Sequence, residues 1–189
     1  CLGIEVLDLL AKLRDEYPDK FLWIELGLQT IHEDTARYIR RGYPLSCFEQ
    51  ACADLKALQI PFIVHTILGL PGETNIQLLQ TMDYLNRIQP FGIKLQLLHV
   101  LKDTDLADDY LAGKFEALTF DAYIDLVISC LAHLSPDIVI HRVTGDGPKN
   151  LLIAPTWSMD KRGVLNELHH RMKKQGIRQG DLFPKDNYS

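Results

Sequence analysis

Long apolar runs are missing from this 189-residue chain: none approaches the roughly 20 residues needed to cross a bilayer, which excludes a membrane-spanning helix. Basic charge is also short. Lys and Arg number 20 against 25 Asp and Glu, a formal net charge of -5, whereas a dedicated nucleic-acid binder carries a basic excess. There is no repeat at a coiled-coil or solenoid period, and no signal-peptide pattern before the first helix, so a cytoplasmic protein is expected. Cysteine is sparse. Cys1, Cys47, Cys52 and Cys130 match neither a zinc knuckle nor a cluster-binding run, so free thiols and no metal site are expected. What is plentiful is apolar: 47% of the residues are hydrophobic, with 12 Gly and 9 Pro, enough to bury a core and exclude disorder.

Helical and extended patterns alternate. Ile4, Leu7, Leu10 and Leu13 recur at helical spacing between Gly3 and Tyr17, before Pro18. Phe21 to Leu28 reads as a strand, followed by a short helix from Glu33 to Arg41 and a longer one from Ser46 to Leu58. Pro61 to Leu68 is the second strand, and Gly72-Glu73-Thr74 opens a helix that reaches Ile88 and stops before Pro90. Gly92 to Val100 gives a third strand, Asp103 to Ala112 and Thr119 to Leu134 give helices, and Asp137 to Val143 gives a fourth strand. A helix from Asp160 to Lys174 closes the pattern, ahead of a polar tail, Gly176 to Ser189, expected to be loose. Asp108-Asp109 and Lys173-Lys174 read as solvated helix faces. Such alternation predicts an α/β fold with a parallel sheet. Four strands cannot close a barrel, and no complete glycine-rich phosphate loop is present; Gly145-Asp146-Gly147 lacks the third glycine of a dinucleotide motif. Part of a larger sheet is therefore expected, with residues 1–158 in the sheet unit and 159–189 as a terminal helix and tail.

Buried parallel strands should be almost continuously apolar, and three of these are not. Alternation places Trp23, Glu25, Gly27 and Gln29 on one face of the first strand, His65 interrupts the second, and Lys94, Gln96 and His99 mark the third. Two readings stand. These side chains face a polar lumen, or Glu25 and Lys94 pair across the sheet. Gln29, Gly69 and His99 fall at the carboxyl ends, the edge where ligands bind in such folds. Taken alone, Gly69-Leu70-Pro71-Gly72-Glu73-Thr74 is turn chemistry.

The ordered set Glu25-Leu26-Gly27-Leu28-Gln29-Thr30, Arg40-Arg41-Gly42 and His65-Thr66-Ile67-Leu68-Gly69-Leu70-Pro71-Gly72-Glu73-Thr74 resembles the later strands of radical S-adenosylmethionine (SAM) enzymes. It is most similar to the branch that includes oxygen-independent coproporphyrinogen oxidase. His141-Arg142-Val143-Thr144-Gly145-Asp146-Gly147-Pro148 and Leu152-Ile153-Ala154-Pro155-Thr156-Trp157 resemble the tail of a bacterial family of iron–sulfur oxidoreductases within it. The resemblance implies the C-terminal part of a partial (β/α)6 TIM-like barrel. It also implies SAM and a [4Fe–4S] cluster as cofactors, and reductive cleavage of SAM to a 5′-deoxyadenosyl radical that abstracts hydrogen from a substrate.

No cysteine triplet of the required spacing occurs here, and the chain opens on Cys1 rather than Met. The cluster ligands are therefore expected upstream, with this piece inactive by itself. By resemblance Gln29, Arg41 and His65 would contact SAM, with Arg41 near its carboxylate and Arg40 as a competitor, while Ile67 and Gly69 would flank adenine. Glu25, Lys94 and His99 are candidates for the substrate or the rim of the pocket. Expected partners are a small-molecule substrate and a flavodoxin- or ferredoxin-type reductant, with neither membrane nor nucleic acid, and self-association of the piece through its exposed sheet edge. The alternative is a non-catalytic (β/α) interaction module that has lost the cofactor.

Overall fold

Apolar residues at every second position of three successive runs build one side of a sheet and leave the other side to polar residues. The computed structural model describes residues 2–145 and 147–184, so Cys1, Asp146 and residues 185–189 lie outside the description. In chain order the elements are α1 (Ile4–Glu16), β1 (Ile24–Gln29), α2 (Glu33–Tyr38), α3 (Leu45–Ala57), β2 (Phe62–Leu68), α4 (Asn75–Ile88) and β3 (Gly92–Leu97). Then follow β4 (Val100–Leu101), α5 (Asp105–Leu111), α6 (Phe120–His133), β5 (Val139–Arg142), β6 (Leu152–Ala154), a 3₁₀ turn (Thr156–Met159) and α7 (Lys161–Gln175).

The main sheet is wholly parallel in the order β1-β2-β3-β5. Leu28, Val64, Leu68, Ile93, Leu95 and Leu97 point to one face. There they are buried with Phe48 and Leu55 of α3, Met82 of α4, and Ile124 and Val127 of α6. Burying each such side chain contributes about 1.5–3 kcal/mol, so this face holds the layers together. On the opposite face Gly27, His65 and Lys94 stand side by side in register, and Glu25, His65, Lys94 and Gln96 keep partial access to solvent.

The alternation read from the sequence appears as α/β structure with four parallel strands, and most boundaries agree within a few residues. Three details differ. The apolar pattern carries the third strand to Val100, but the chain leaves the sheet after Leu97. The Leu98 N–H makes a last bond to the Leu68 carbonyl (3.0 Å), and Val100–Leu101 then pairs antiparallel with Leu152–Ala154. The first strand starts at Ile24 rather than Phe21, whose ring packs on Trp23 and Phe91. The tail expected to be loose is tied down over its described part. The Gln179 amide donates to the Ser135 and Ile138 carbonyls (2.8 and 2.7 Å), and the Leu182 N–H bonds to the Ala132 carbonyl (2.8 Å).

Asn86, fully buried, joins α4 to the end of α6. Its amide donates to the His133 carbonyl and accepts from the Ser135 N–H, both at 2.8 Å. Truncation orphans two buried backbone groups, so Asn86→Ala is expected to cost about 3 kcal/mol in urea unfolding. A loss below about 1 kcal/mol would show that the contact carries little.

Candidate functional site

The carboxyl ends of β1, β2 and β3 open into a cleft of about 700 Å³. Gln29, Ile67, Leu70 and Leu98 come from the strand ends, and α2 and α5 supply the walls. The walls are bridged by polar contacts: Arg40 pairs with Asp105, and the Tyr38 hydroxyl donates to Asp109 (2.6 Å), which also meets Lys114 (2.6 Å). Lys114 and Tyr38 hold the Asp109 carboxyl below its ordinary range. Asp109, read from the sequence as a solvated helix face, is instead part of this wall.

The corner between β1 and α2 has an unusual backbone. Gln29 takes a left-handed φ of 60° beside a break in the β1–β2 register, a conformation that costs a non-glycine residue about 1 kcal/mol. Arg41 makes it persist. Its side chain is only 1% exposed and donates to the carbonyls of Leu28 (3.3 Å), Thr30 (2.8 Å) and Tyr43 (2.9 Å), and to Glu33 (2.8 Å). Glu33 in turn accepts from the Leu45 N–H (2.6 Å), and that bond and Arg41 keep its carboxyl below the usual range. The Tyr43 hydroxyl donates to the Gly27 carbonyl. A Cβ at Gly27 would lie 2.6 Å from the Gln29 amide, so a larger residue there would have to displace that side chain. With its amide nitrogen facing the chain, Gln29 donates to the Leu28 and Gly27 carbonyls (3.1 and 3.2 Å).

The loop after β2 supplies the opposite side. Gly69 has φ 83°, and a Cβ there would press on Leu118 at 2.7 Å. Thr74 caps α4 through a reciprocal pairing with Gln77, which fixes the end of the turn. Thr30 donates to Glu73, linking the two loops, and burial pushes the Glu73 carboxyl up. His32 ties the same corner to the Gln77 carbonyl (2.9 Å).

On the polar face of the sheet, one Glu25 oxygen accepts from Lys94 (2.5 Å) and from His65 Nε2 (2.7 Å), while His65 Nδ1 faces the Gln96 amide (3.3 Å). The pairing read from the sequence is present: Glu25 and Lys94 meet across the sheet, on the face opposite the helix-covered core. The Lys94 hydrogen bond, ahead of that from His65, holds the Glu25 carboxyl down at about 2.

Gln29, Arg41 and Ile67 therefore line the cleft, whereas Gly69 is not in its lining and only precedes the lining residue Leu70. His65 is engaged with Glu25 and Gln96. His99 is half-buried, with Nε2 3.1 Å from the Ser158 hydroxyl, which itself donates to the Pro155 carbonyl (2.7 Å). Gly145 and Gly147 lie so close to the His99 ring that a Cβ on either would come within 3.1 Å of Nδ1, and burial lowers the His99 pKa. Sequence reasoning missed Tyr38 and Asp105, which share a location only because α2 and α5 meet, and also Tyr43 and Leu98. Among the described residues no cluster of three His, Cys, Asp or Glu could hold a metal, and burial pushes the Cys52 and Cys130 thiols up to about 12. No described helix is long and apolar enough to cross a membrane.

Comparison with known proteins gives consistent matches. The radical SAM superfamily model matches residues 2–85, and the radical SAM C-terminal domain model matches residues 90–174. The chain is 38% identical to protein YtqA of Bacillus subtilis over 97% of its own length and 56% of that protein. Against YhcC of Escherichia coli the figures are 29% identity, 96% and 58%. The chain thus spans a little over half the length of these relatives. A solved structure of the archaeal Methanocaldococcus infernus Elp3 superposes with a TM-score of 0.76 at 17% identity, over 94% of this chain and 40% of that one.

The Glu25 contacts generate a test by titration. A glutamate of the unfolded chain ionises near 4.5, so the contribution of these contacts is complete above that pH and is lost as pH falls towards 2. Carboxyl-carbon NMR is expected to show Glu25 still ionised at about pH 3.5, with Lys94→Met moving its midpoint up towards the ordinary value. A midpoint near 4.5 in the unmodified protein would contradict the pairing.

Proposed function

Because this chain belongs to the radical SAM superfamily, we propose that the cleft at the carboxyl ends of β1 to β3 binds the adenosyl part of SAM in a full-length radical SAM enzyme. The observation that carries this reading is the convergence of Gln29 with the apolar Ile67, Leu70 and Leu98 in one cleft of about 700 Å³. Apolar side chains at the strand ends, with a hydrogen-bonding amide beside them and polar residues on the walls, suit a purine nucleoside. Ile67, Leu70 and Leu98 would cover the adenine faces and exclude water, and the Gln29 amide oxygen, left free by the nitrogen's bonds to the Leu28 and Gly27 carbonyls, would accept from a ribose hydroxyl. Bound SAM supplies, on reductive cleavage, the 5′-deoxyadenosyl radical that takes hydrogen from a substrate. Positioning is this chain's share of the work.

The described residues do not suit a [4Fe–4S] cluster, for want of a ligand set and because two of the three described thiols are buried and hard to ionise. We place its ligands in the part of the full-length protein outside this chain, with a flavodoxin- or ferredoxin-type protein as electron source. Calorimetric titration of the anaerobically purified full-length protein with SAM tests the reading. Gln29→Ala is expected to weaken binding about tenfold, the equivalent of one or two good hydrogen bonds, and Ile67→Asp to abolish it. Absence of SAM binding would favour a non-catalytic interaction module.

A further inference from the structure

Four rings line up across the amino-terminal end of the parallel sheet, the end away from the cleft. Trp23, just before β1, packs on Phe21 (centroids 5.6 Å apart), Phe21 packs on Phe91 just before β3 (5.5 Å), and Phe91 packs on His141 of β5 (5.8 Å). Two features of the strands make room for the fourth ring. The register of β3 with β5 slips, so that Ile93 meets Ile140, Lys94 meets Arg142, and His141 falls between. Gly92 beside it has no side chain, and a Cβ there would collide with the His141 ring. The row is thus built into the sheet, yet it is wet: Phe21 is 62% exposed, Trp23 43% and Phe91 38%. We propose that this row is an internal contact surface of the full-length protein, covered by the part of that protein outside this chain, which seals the amino-terminal end of the sheet.

Neighbouring exposed rings form an apolar patch, and such patches mark contact surfaces. The surroundings point to the occupant. Phe21 and Trp23 lead into β1, whose outer edge pairs with no strand among the described residues. Before them, α1 also keeps Val6, Leu9 and Leu13 exposed at helical spacing. The uncovered apolar surface therefore gathers on the elements that adjoin one open sheet edge. The chain spans 56% of YtqA and 58% of YhcC, so such proteins carry over two fifths of their length outside the matched part. That is enough chain for a strand on the open edge and a cover over the rings. A second copy of this chain fits less well. An aromatic side chain offers about 150–250 Å², so the three exposed rings present on the order of 300 Å², against roughly 800 Å² a side in a stable dimer. A cover attached through the chain needs no such area, because its effective concentration is high. The layer two residues further along the strands, where Lys94 and His65 meet Glu25, is then closed to water from this end.

Hydroxyl-radical footprinting of the unmodified full-length protein tests the cover, and it is run without SAM, so its outcome is independent of the adenosyl reading. Each rate is referred to that of the same residue in a short peptide. Phe21 and Trp23 are expected to oxidise about tenfold more slowly than in the peptide, at every protein concentration, whereas rings as exposed as these stay within about threefold. As a second measurement, Phe21→Lys and Trp23→Lys are each expected to lower the melting temperature by about 3 °C or more, against under about 1 °C for a ring left in water. Oxidation close to the peptide rate, or melting unchanged in both variants, would overturn the proposal. So would protection that vanishes on dilution while light scattering shows a dimer dissociating, because the cover is then a second copy.

Discussion

A parallel sheet whose helices gather on one face must find another use for its second face. Here the helix-covered side is aliphatic and closed, while the other carries Glu25, His65, Lys94 and Gln96. A charge left alone in such a setting is costly. The cost is avoided because Lys94 and His65 converge on a single Glu25 oxygen. The same parallel arrangement brings three strand ends to one edge, so the loops that follow them are neighbours in space though far apart in sequence.

What those loops do depends on local backbone control. Gln29 is held in its strained conformation by Arg41 from below and by Tyr43 through Gly27. Gly69 permits a turn that another residue would strain, and Thr30 binds the first loop to the second through Glu73. The interior of the corner is therefore stiff, with four of the five Arg41 donors engaged. The rim is held by solvent-exposed pairs such as Arg40 with Asp105, which exchange at little cost. A rigid floor with an exchangeable rim suits a site that must orient one ligand accurately and still admit it.

Much of this arrangement can be read from the chain alone, because periodicity reports burial. The strands β1 to β3 and the long helices follow directly from their patterns, and Thr74 and Thr119 mark helix starts by their capping chemistry. Alternation also separates Glu25 and Lys94 from the core face. The break at Leu98 and His99 is hidden because the apolar run continues through it, and a three-residue strand such as β6 has too little pattern to register. Arg41 is the instructive case. A charged residue next to a glycine at a helix end resembles a solvated terminus, and only the convergence of three carbonyls on it shows that it also braces the backbone around Gln29. Likewise no local pattern joins Tyr38 to Asp109, since that contact exists only once α2 and α5 meet.

The most direct test is a crystal structure of the full-length protein grown anaerobically with S-adenosylhomocysteine. Electron density for the adenosyl group lying between Gln29 and Ile67, at the carboxyl edge of the sheet, is the expected result. Clear density for the ligand elsewhere, with that edge empty, would contradict the account.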